Sequence, residues 1–385
     1  MKLLRNPAVL LAPGEDGYLA YEFDTGRLHR LNPLAALVVE LADGSRTSVA
    51  VIQEVAPLTD EAGTVACGQW IEEAFQQGLL VDADATGHRA EPTAAELRAA
   101  AMQLRDHDRV LAAFLCQNRV VELAPDDPQD WYRLGELAHI VGRRAEARTA
   151  YETYQLACPD DAEVEHLLVA LRDEGPPQRA SDACIERIYG FFASFYERNM
   201  CDELDYRAPD LLFTALADAT GGCRGMVGLD AGCGTGLFGE QLRPCVRRLV
   251  GVDLSAEMLA RARERGIYDE LAKTELTEWF GREPIEAFDV IALCDTLIYF
   301  GDLRQVLLPA VRHLTVEGVI AFTVEKGEAD PHSLTDSGRF THHRNHLLAV
   351  AREAGCDVVS LMEHVLRYEY GNPVAGWVAV MRRSA

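Results

Sequence analysis

The sequence predicts a multidomain α/β protein, and three features indicate this fold class. Residues 1–85 combine short apolar runs with helical segments, the mixture expected of a small α+β domain. From about residue 95 to residue 175, alanine-rich stretches with helical periodicity predict an all-helical segment. Residues 178–385 alternate apolar runs with amphipathic stretches and contain a glycine-rich turn at 228–236, which predicts a mostly parallel sheet covered by helices.

Composition narrows the functional classes. The 385 residues are 48% hydrophobic, enough for several packed cores, and carry a formal charge of −24. That charge argues against a nucleic-acid partner, because phosphates would be repelled. We find no apolar run of about eighteen residues and no basic-then-apolar start, so neither a membrane span nor a signal peptide is expected. The ten cysteines show no zinc-like spacing and indicate a reducing compartment, so we expect a cytoplasmic protein without a metal.

The first predicted domain, residues 1–85, begins with strands and ends with helices. Gly26, at the end of Asp24-Thr25-Gly26, supplies the backbone dihedral freedom that a tight turn between two strands needs. Asn32 is the expected cap of the first helix, with Pro33 at its first position. The predicted strands are 8–12, 18–23 and 27–31, and the predicted helices are 33–41, 48–55 and 67–77.

Three short motifs in this domain carry a resemblance: Leu31-Asn32, Leu41-Ala42-Asp43-Gly44 and Gly78-Leu79-Leu80. The domain resembles the D protein of pyrroloquinoline quinone biosynthesis (PqqD), a winged-helix-like fold. Relatives of that protein are recognition elements for the leaders of ribosomally made precursor peptides (RiPPs). The resemblance implies that a leader adds as a strand beside residues 27–31, against the helix face of Trp70, Ala74 and Gln77. An inert winged helix, or one that docks on its own chain, is the alternative.

The helical segment, residues 95–175, has an internal period. Ala113 and Ala147 are 34 residues apart, as are Pro125 and Pro159. Small residues let paired helices approach closely, and the prolines end each second helix. This pattern is typical of a short tetratricopeptide-type repeat segment, although a spacer that packs the flanking domains is an alternative to a peptide groove. The matching positions are Trp131, Leu134, Gly135, Ala138, Ala147, Tyr151 and Pro159, and a closing helix is predicted over 162–171.

The glycine-rich turn is the strongest chemical signal in the chain. An apolar run ends in Asp230, the turn follows, and seventeen residues after Gly236 a second apolar run ends in Asp253. A carboxylate before the turn repels a pyrophosphate but accepts hydrogen bonds from the amino group of a methionine moiety, which favours S-adenosylmethionine over a dinucleotide. Asp253 stands where nucleotide-binding α/β folds hold a ribose diol. Close backbone approach to the cofactor is expected at Gly232, Gly234 and Gly236.

Together with the apolar runs 288–295 and 314–322, this turn resembles the class I S-adenosylmethionine-dependent methyltransferases over residues 185–383. The resemblance implies a Rossmann-like domain with a mostly parallel seven-stranded sheet, and S-adenosyl-L-homocysteine as the product. A nucleotide-binding α/β domain with other chemistry is the alternative. Shorter stretches also resemble an uncharacterised bacterial methyltransferase group with tetratricopeptide repeats, and these are 206–209, 271–276 and 337–340.

The resemblance implies further contacts with the cofactor. Leu254 and Met258 are expected to line the adenine, and Glu275 and Leu276 to contact it. Asp295 is expected to face the cleft at the carboxyl ends of the strands.

An aromatic amphipathic stretch over 183–196 precedes the first strand of this domain. In methyltransferases of this type such a helix often covers the cofactor and shapes the acceptor pocket. Tyr189 and Tyr196 are therefore expected at that pocket, with plain core packing as the alternative.

The protein's main task in methyl transfer is alignment, because the cofactor carries the driving force. A carboxylate or thiolate acceptor needs no base. A hydroxyl or amine acceptor does, and the candidates are His342, His343, Asp295 and Tyr299.

The insertion 325–343 is expected to be polar and flexible, where acceptor-binding loops lie in this fold. Arg339 within it could hold an acceptor carboxylate in a bidentate pair. His346, on the helix that follows, is expected to be a surface residue.

These features support three functional hypotheses. The first is a methyltransferase that modifies a precursor peptide recruited through its leader. The second is a methyltransferase acting on a small metabolite or acyl-carrier substrate, with structural N-terminal domains. The third is a peptide-binding scaffold that uses the cofactor only as a ligand. The oligomeric state, a homodimer included, stays open.

Overall fold

A computed structural model of the protein describes residues 1–14, 16–85, 90–172, 175–222, 224–284 and 286–384. The chain divides into two compact units, Met1–Ala157 and Cys158–Ala385. Residues 86–89 lie outside the described residues, and the three-domain division stays a prediction. None of the helices in the described ranges is both long enough and apolar enough to cross a bilayer.

The first part of the N-terminal unit contains short strands and three helices. In chain order these are β1 (Lys2–Arg5), β2 (Val9–Gly14), β3 (Gly17–Glu22), β4 (Arg27–Leu31), α1 (Pro33–Leu41), β5 (Asp43–Thr47), α2 (Ser48–Val55), α3 (Glu61–Gln77) and β6 (Leu80–Asp82). One antiparallel sheet has the order β5-β1-β6, and a second has the order β2-β3-β4. Their apolar faces pack with the three helices around a core that includes Leu3, Val38 and Ile71.

The three strands and three helices predicted for residues 1–85 are confirmed. The Asn32 side chain accepts a hydrogen bond from the Ala35 N–H and caps α1, as expected. Helix α3 begins six residues earlier than predicted, because Asp60 caps it by accepting from the Gly63 N–H. Strands β1, β5 and β6 were not predicted, since they are short and β5 is largely polar. The winged-helix assignment stays a prediction.

The rest of the N-terminal unit is helical, with α4 (Ala94–Asp106), α5 (Val110–Leu123), α6 (Pro128–Ile140) and α7 (Arg144–Ala157). A Cβ on Gly135 would lie 2.6 Å from the Tyr151 ring, so glycine is what lets α6 and α7 approach closely. The tetratricopeptide assignment stays a prediction. The helix expected to close this stack, α8 (Ala162–Leu171), belongs to the second unit.

The second unit combines one large sheet with flanking helices. After α8 the elements are α9 (Asp182–Phe192), a π-helix (Arg198–Glu203), α10 (Ala208–Thr220), β7 (Met226–Ala231), α11 (Leu237–Leu242), β8 (Val246–Asp253), α12 (Ala256–Arg265), β9 (Glu270–Lys273), α13 (Leu276–Gly281), β10 (Phe288–Leu293), α14 (Arg304–Arg312), β11 (Leu314–Lys326), β12 (His332–Leu334), β13 (Phe340–His342), α15 (Arg344–Glu353), β14 (Cys356–Glu369) and β15 (Asn372–Arg383).

The sheet is mixed and has nine strands in the described part of the chain, which corrects the predicted mostly parallel seven-stranded sheet. Five strands run parallel in the order β9-β8-β7-β10-β11. Strand β15 pairs antiparallel with β11, and β14 pairs antiparallel with β15. The two extra strands are the hairpin β12–β13, which joins the sheet at the end of β11.

The insertion 325–343 is therefore not the flexible loop that its polar sequence suggested. Phe340 and His342 on β13 are fully buried, and this burial gives the hairpin a defined place on the sheet. The carboxyl ends of β7, β8, β10 and β11 meet at one edge of the sheet, where open α/β sheets bind ligands.

Candidate active site

The chain turns sharply where β7 enters α11. Gly232 has a φ of 77°, a backbone conformation that side chains disfavour, and a Cβ there would overlap Thr296. Apart from Gly234 and its two chain neighbours, no atom of the described residues lies within 4 Å of the position that a Cβ on Gly234 would occupy. The turn therefore leaves room for a ligand to approach the Gly234 backbone.

Asp230 is buried at the end of β7, with 1% of its surface exposed. The Tyr268 hydroxyl donates to its Oδ2 at 2.7 Å, while its Oδ1 has no hydrogen-bond partner in the described part of the chain. Burial raises the pKa of the Asp230 carboxyl to about 7, and the charge of Asp253 adds to this, whereas the Tyr268 hydrogen bond opposes it. An ammonium group would satisfy Oδ1 and favour the ionised carboxylate.

Asp253 ends β8 and braces the glycine turn. Its Oδ2 accepts a hydrogen bond from the Gly234 N–H at 2.8 Å, and its Oδ1 accepts one from the Ser255 N–H at 2.8 Å. Burial raises the pKa of the Asp253 carboxyl, and these backbone donors lower it. The Leu254 N–H also acts on this carboxylate, and its two oxygens together offer about four acceptor positions, so acceptor capacity remains for the predicted bonds to a ribose diol.

The residues expected around the adenine are exposed to different degrees. Leu254 is partly exposed, whereas Met258 and Leu276 are nearly fully buried, so their contact with a ligand stays a prediction. Glu275 caps α13 through its Oε2. Its buried Oε1 has no hydrogen-bond partner among the described residues, although the Arg179 guanidinium approaches it to 3.9 Å.

Three buried polar atoms at the carboxyl edge of the sheet thus lack hydrogen-bond partners within the described residues: Asp230 Oδ1, Thr235 Oγ1 and Glu275 Oε1. Buried polar groups without partners are uncommon in native proteins and call for an explanation such as a bound group. S-adenosylmethionine carries an ammonium and an adenine amino group, which donate hydrogen bonds, and a carboxylate, which accepts them. The carboxylates of Asp230 and Glu275 can accept from the ammonium and the amino group, and the Thr235 hydroxyl can donate to the carboxylate. The residues present therefore fit this cofactor.

Three partly buried tyrosines meet beside this region. The hydroxyls of Tyr189 and Tyr299 lie 2.7 Å apart, and the Tyr189 ring centroid lies 6.3 Å from that of Tyr196. Burial, with a smaller effect of the nearby Asp295 charge, raises the pKa of Tyr189 and of Tyr196. Burial raises the pKa of Tyr299 to about 12, so its hydroxyl stays protonated at neutral pH.

A network of charged side chains lies where β10, β11 and β14 end. Arg367, whose side chain is 3% exposed, lies 3.2 Å from the Asp295 carboxylate and also pairs with Glu325 and Glu369. Arg339 donates to the same two glutamates at 2.8 and 2.7 Å. When all five groups are ionised, one negative charge is in excess. Arg339, expected to hold an acceptor carboxylate, is instead paired with carboxylates of its own chain.

The histidines expected as bases are placed for structural roles. The ring of His342 is fully buried and its Nε2 donates to the Phe300 carbonyl at 2.9 Å, while burial lowers its pKa to about 4. His343 caps α15 through its side chain. The expectation that His346 is a surface residue is wrong, since it is 2% exposed and its ring centroid lies 6.0 Å from that of His342. Both histidines thus contact groups of their own chain, and their role as bases stays a prediction.

Sequence reasoning did not predict Tyr268, Thr235 or Arg367 as site residues. Thr235 could have been predicted from the sequence, because it is the one residue with a hydroxyl group inside the glycine turn. Tyr268 and Arg367 reach the site from loops and strands that are distant in sequence, and no local motif marks them.

Comparisons with known proteins find methyltransferases that are similar to parts of this chain. Residues 229–320 match a family model described as a methyltransferase domain. A malonyl-[acyl-carrier protein] O-methyltransferase of Pectobacterium atrosepticum is 46% identical over 52 residues, which cover 14% of this chain and 21% of that protein. The putative methyltransferase YqeM of Bacillus subtilis is 31% identical over 147 residues, which cover 36% of this chain and 55% of that protein. The chain thus spans less than two thirds of either relative.

Among solved structures, an S-adenosylmethionine-dependent methyltransferase from Clostridium acetobutylicum is 18% identical and has a TM-score of 0.38. The alignment covers 51% of this chain and all of that one. The family match includes Asp230, the glycine turn and Asp253. The second unit therefore contains a methyltransferase domain over residues 229–320.

Proposed function

We propose that this protein transfers a methyl group from S-adenosylmethionine to a ribosomally synthesised precursor peptide, which residues 1–85 recruit through its leader. The observation that carries the transferase activity is the buried, unpartnered Oδ1 of Asp230 beside the glycine turn, since an ammonium group is its natural complement. The open edge of β4 supports the peptide substrate.

The cofactor side of the site divides its tasks among four side chains. When bound, S-adenosylmethionine supplies a methyl group activated by its sulfonium. Asp230 would hold the ammonium, Thr235 the carboxylate, Asp253 the ribose diol and Glu275 the adenine amino group. These bonds fix the cofactor, so the protein's contribution to rate is alignment of donor and acceptor.

The acceptor would enter beside Asp295. The next residue, Thr296, lies within 3.3 Å of the Gly232 carbonyl, so Asp295 adjoins the cofactor turn. Because Arg339 and Arg367 are already paired with carboxylates, the site favours an acceptor without a negative charge, such as an amine or a hydroxyl. Asp295 could take the acceptor proton, since burial raises the pKa of its carboxyl.

The leader would add to the sheet that contains β4. In the described part of the chain, β4 pairs with β3 and with no other strand, so one edge is open to an incoming strand. Arg27, Leu28 and Arg30 expose their side chains there. These cations on a chain of net charge −24 favour an acidic leader. Ala74 is fully buried, so it cannot offer surface to a leader as the resemblance suggested, whereas Trp70 is partly exposed.

The test is calorimetric titration of the full chain, first with S-adenosylhomocysteine and then with leader peptides encoded by neighbouring short reading frames. Leu28→Glu should weaken leader binding by about tenfold or more, because it removes apolar contact at the strand edge. Leu156→Glu is the matched control, since Leu156 is an exposed leucine on α7. Absence of cofactor binding would overturn the transferase, and equal leader binding by both variants would overturn the β4 site.

A second candidate substrate is an acyl-carrier protein. The relative from Pectobacterium atrosepticum is named for malonyl-acyl-carrier protein, and its matched segment is 46% identical. Turnover with a malonyl-loaded acyl-carrier protein, together with absence of leader binding, would favour this candidate. The paired state of Arg339 argues against it, because a free malonyl carboxylate would have to displace Glu325 or Glu369.

A further inference from the structure

We propose that Tyr268 is the positioning residue of the cofactor site: its hydroxyl favours the charged form of Asp230 and turns the carboxylate so that one oxygen is left for the cofactor ammonium. This inference rests on the proposed cofactor role of Asp230. Tyr268 lies between α12 and β9, outside the glycine turn and outside the strand that carries Asp230.

The packing around Tyr268 leaves a space shaped for its ring. A Cβ on Gly239 of α11 would overlap the Tyr268 hydroxyl, and a Cβ on Gly251 of β8 would lie 2.9 Å from the ring. Both positions therefore need glycine if the tyrosine is to reach Asp230. The Tyr268 ring packs between α11 and β8, and this close packing keeps its hydroxyl within hydrogen-bond distance of the Asp230 carboxylate.

The hydrogen bond from Tyr268 to Asp230 affects both the charge and the orientation of the carboxylate. A phenol donates to a carboxylate, so the Tyr268 hydroxyl stabilises the charged form of Asp230 through Oδ2. The Oδ1 atom is left buried and unpartnered within the described residues. One oxygen is thus fixed by the protein, and the other is available to the ligand.

The Gly239 N–H also favours the charged form of Asp230, but the other side chains that face this pair do not replace the tyrosine. The Asp253 carboxylate disfavours a second charge at Asp230. Burial raises the pKa of the Cys233 thiol and of the Cys294 thiol well above the usual range, so both are neutral. The Arg265 guanidinium donates to the Thr235 carbonyl and pairs with Glu240 and Glu197. Tyr268 is therefore the side chain that donates to Asp230.

The experiment measures the dissociation constant of S-adenosylhomocysteine for the full chain and for Tyr268→Phe at several values between about pH 6 and about pH 8. The wild-type protein should bind about tenfold more tightly at the upper end, because the carboxyl with a pKa of about 7 must lose its proton to receive an ammonium. Tyr268→Phe should bind about tenfold more weakly than wild type near pH 6, and the difference should shrink toward pH 8, where the carboxyl ionises without help.

The dependence on pH separates this role from simple packing. A loss of affinity that is equal at every pH, or no loss at all, would overturn the inference. Tyr370→Phe, at an exposed tyrosine, is the matched control and should bind like wild type at each pH. If the wild-type protein itself does not bind S-adenosylhomocysteine, the proposed function fails, and that outcome is distinct from a wild-type-like Tyr268→Phe.

Discussion

Asp230 illustrates a conflict between stability and binding within a single residue. Its carboxyl is 1% exposed, one of its oxygens is unpartnered among the described residues, and burial raises its pKa to about 7 from 3.8. Because the folded pKa lies above the unfolded one, the folded state binds the proton more tightly. Between about pH 4 and pH 7 the contribution of this group to stability falls as the pH rises. A cofactor ammonium would offset that loss.

Asp230→Asn should therefore stabilise the unliganded protein above pH 7, by up to about 4 kcal/mol, and abolish binding of S-adenosylhomocysteine. Denaturant unfolding at about pH 8 and about pH 4 checks the first part, because the gain should be much smaller at the lower pH. Asp126→Asn, at an exposed residue, serves as the control. A variant less stable than wild type at pH 8 would contradict this account of Asp230.

At the scale of elements, the ends of β10, β11 and β14 are joined by charge rather than by apolar packing. Arg367 of β14 pairs with Asp295, Glu325 and Glu369, and its side chain is 3% exposed. A buried ion network adds little to stability compared with apolar packing, but removing one partner leaves buried charges uncompensated. The strand ends therefore depend on the arginine even though the network as a whole is costly to bury.

Arg367→Met should lower the free energy of unfolding by about 3–5 kcal/mol at neutral pH. The cost should decrease in acid, since protonation of Asp295 and Glu369 then removes buried negative charge. Urea unfolding at two pH values measures both effects. Arg207→Met, which breaks an exposed pair with Asp205, should leave unfolding unchanged. Equal effects of the two substitutions would show that the buried network is not what holds these strand ends.

At the scale of the whole molecule, 61 acidic residues face 37 lysines and arginines, and the net charge of −24 sets the background for every charged contact. Repulsion of this kind destabilises a compact chain and is weakened by salt. Many described ion pairs lie on the surface, where each is worth little. Net repulsion should therefore outweigh the surface pairs.

The midpoint of thermal unfolding should rise when ionic strength increases from about 10 mM to about 150 mM, because the Debye length shortens from about 30 Å to about 8 Å. Scanning calorimetry at fixed pH checks this. Sodium chloride and potassium chloride should act alike, since the effect is screening. A midpoint that falls with added salt would mean that the attractive pairs dominate.

Much of the fold could be predicted from local pattern. The bounds of α1 and α2 were predicted to the residue, because capping residues and periodicity mark helix ends directly. The hairpin β12–β13 could not be predicted. Its sequence is polar, and it is ordered by burial of Phe340 and His342 against the sheet rather than by any local preference.

The sequence by itself determined the glycine turn, Asp230 and Asp253, and with them the class of cofactor, because strand, turn and acid are adjacent along the chain. Only the tertiary structure decided the charge state and the hydrogen-bond partners of these carboxylates. Tyr268 is 38 residues from Asp230, and Arg367 is 72 residues from Asp295. The same separation explains why His342 and Arg339 were expected to face an acceptor and instead contact groups of their own chain. Charge state and hydrogen-bond partners depend on burial and on distant neighbours, which only folding brings together.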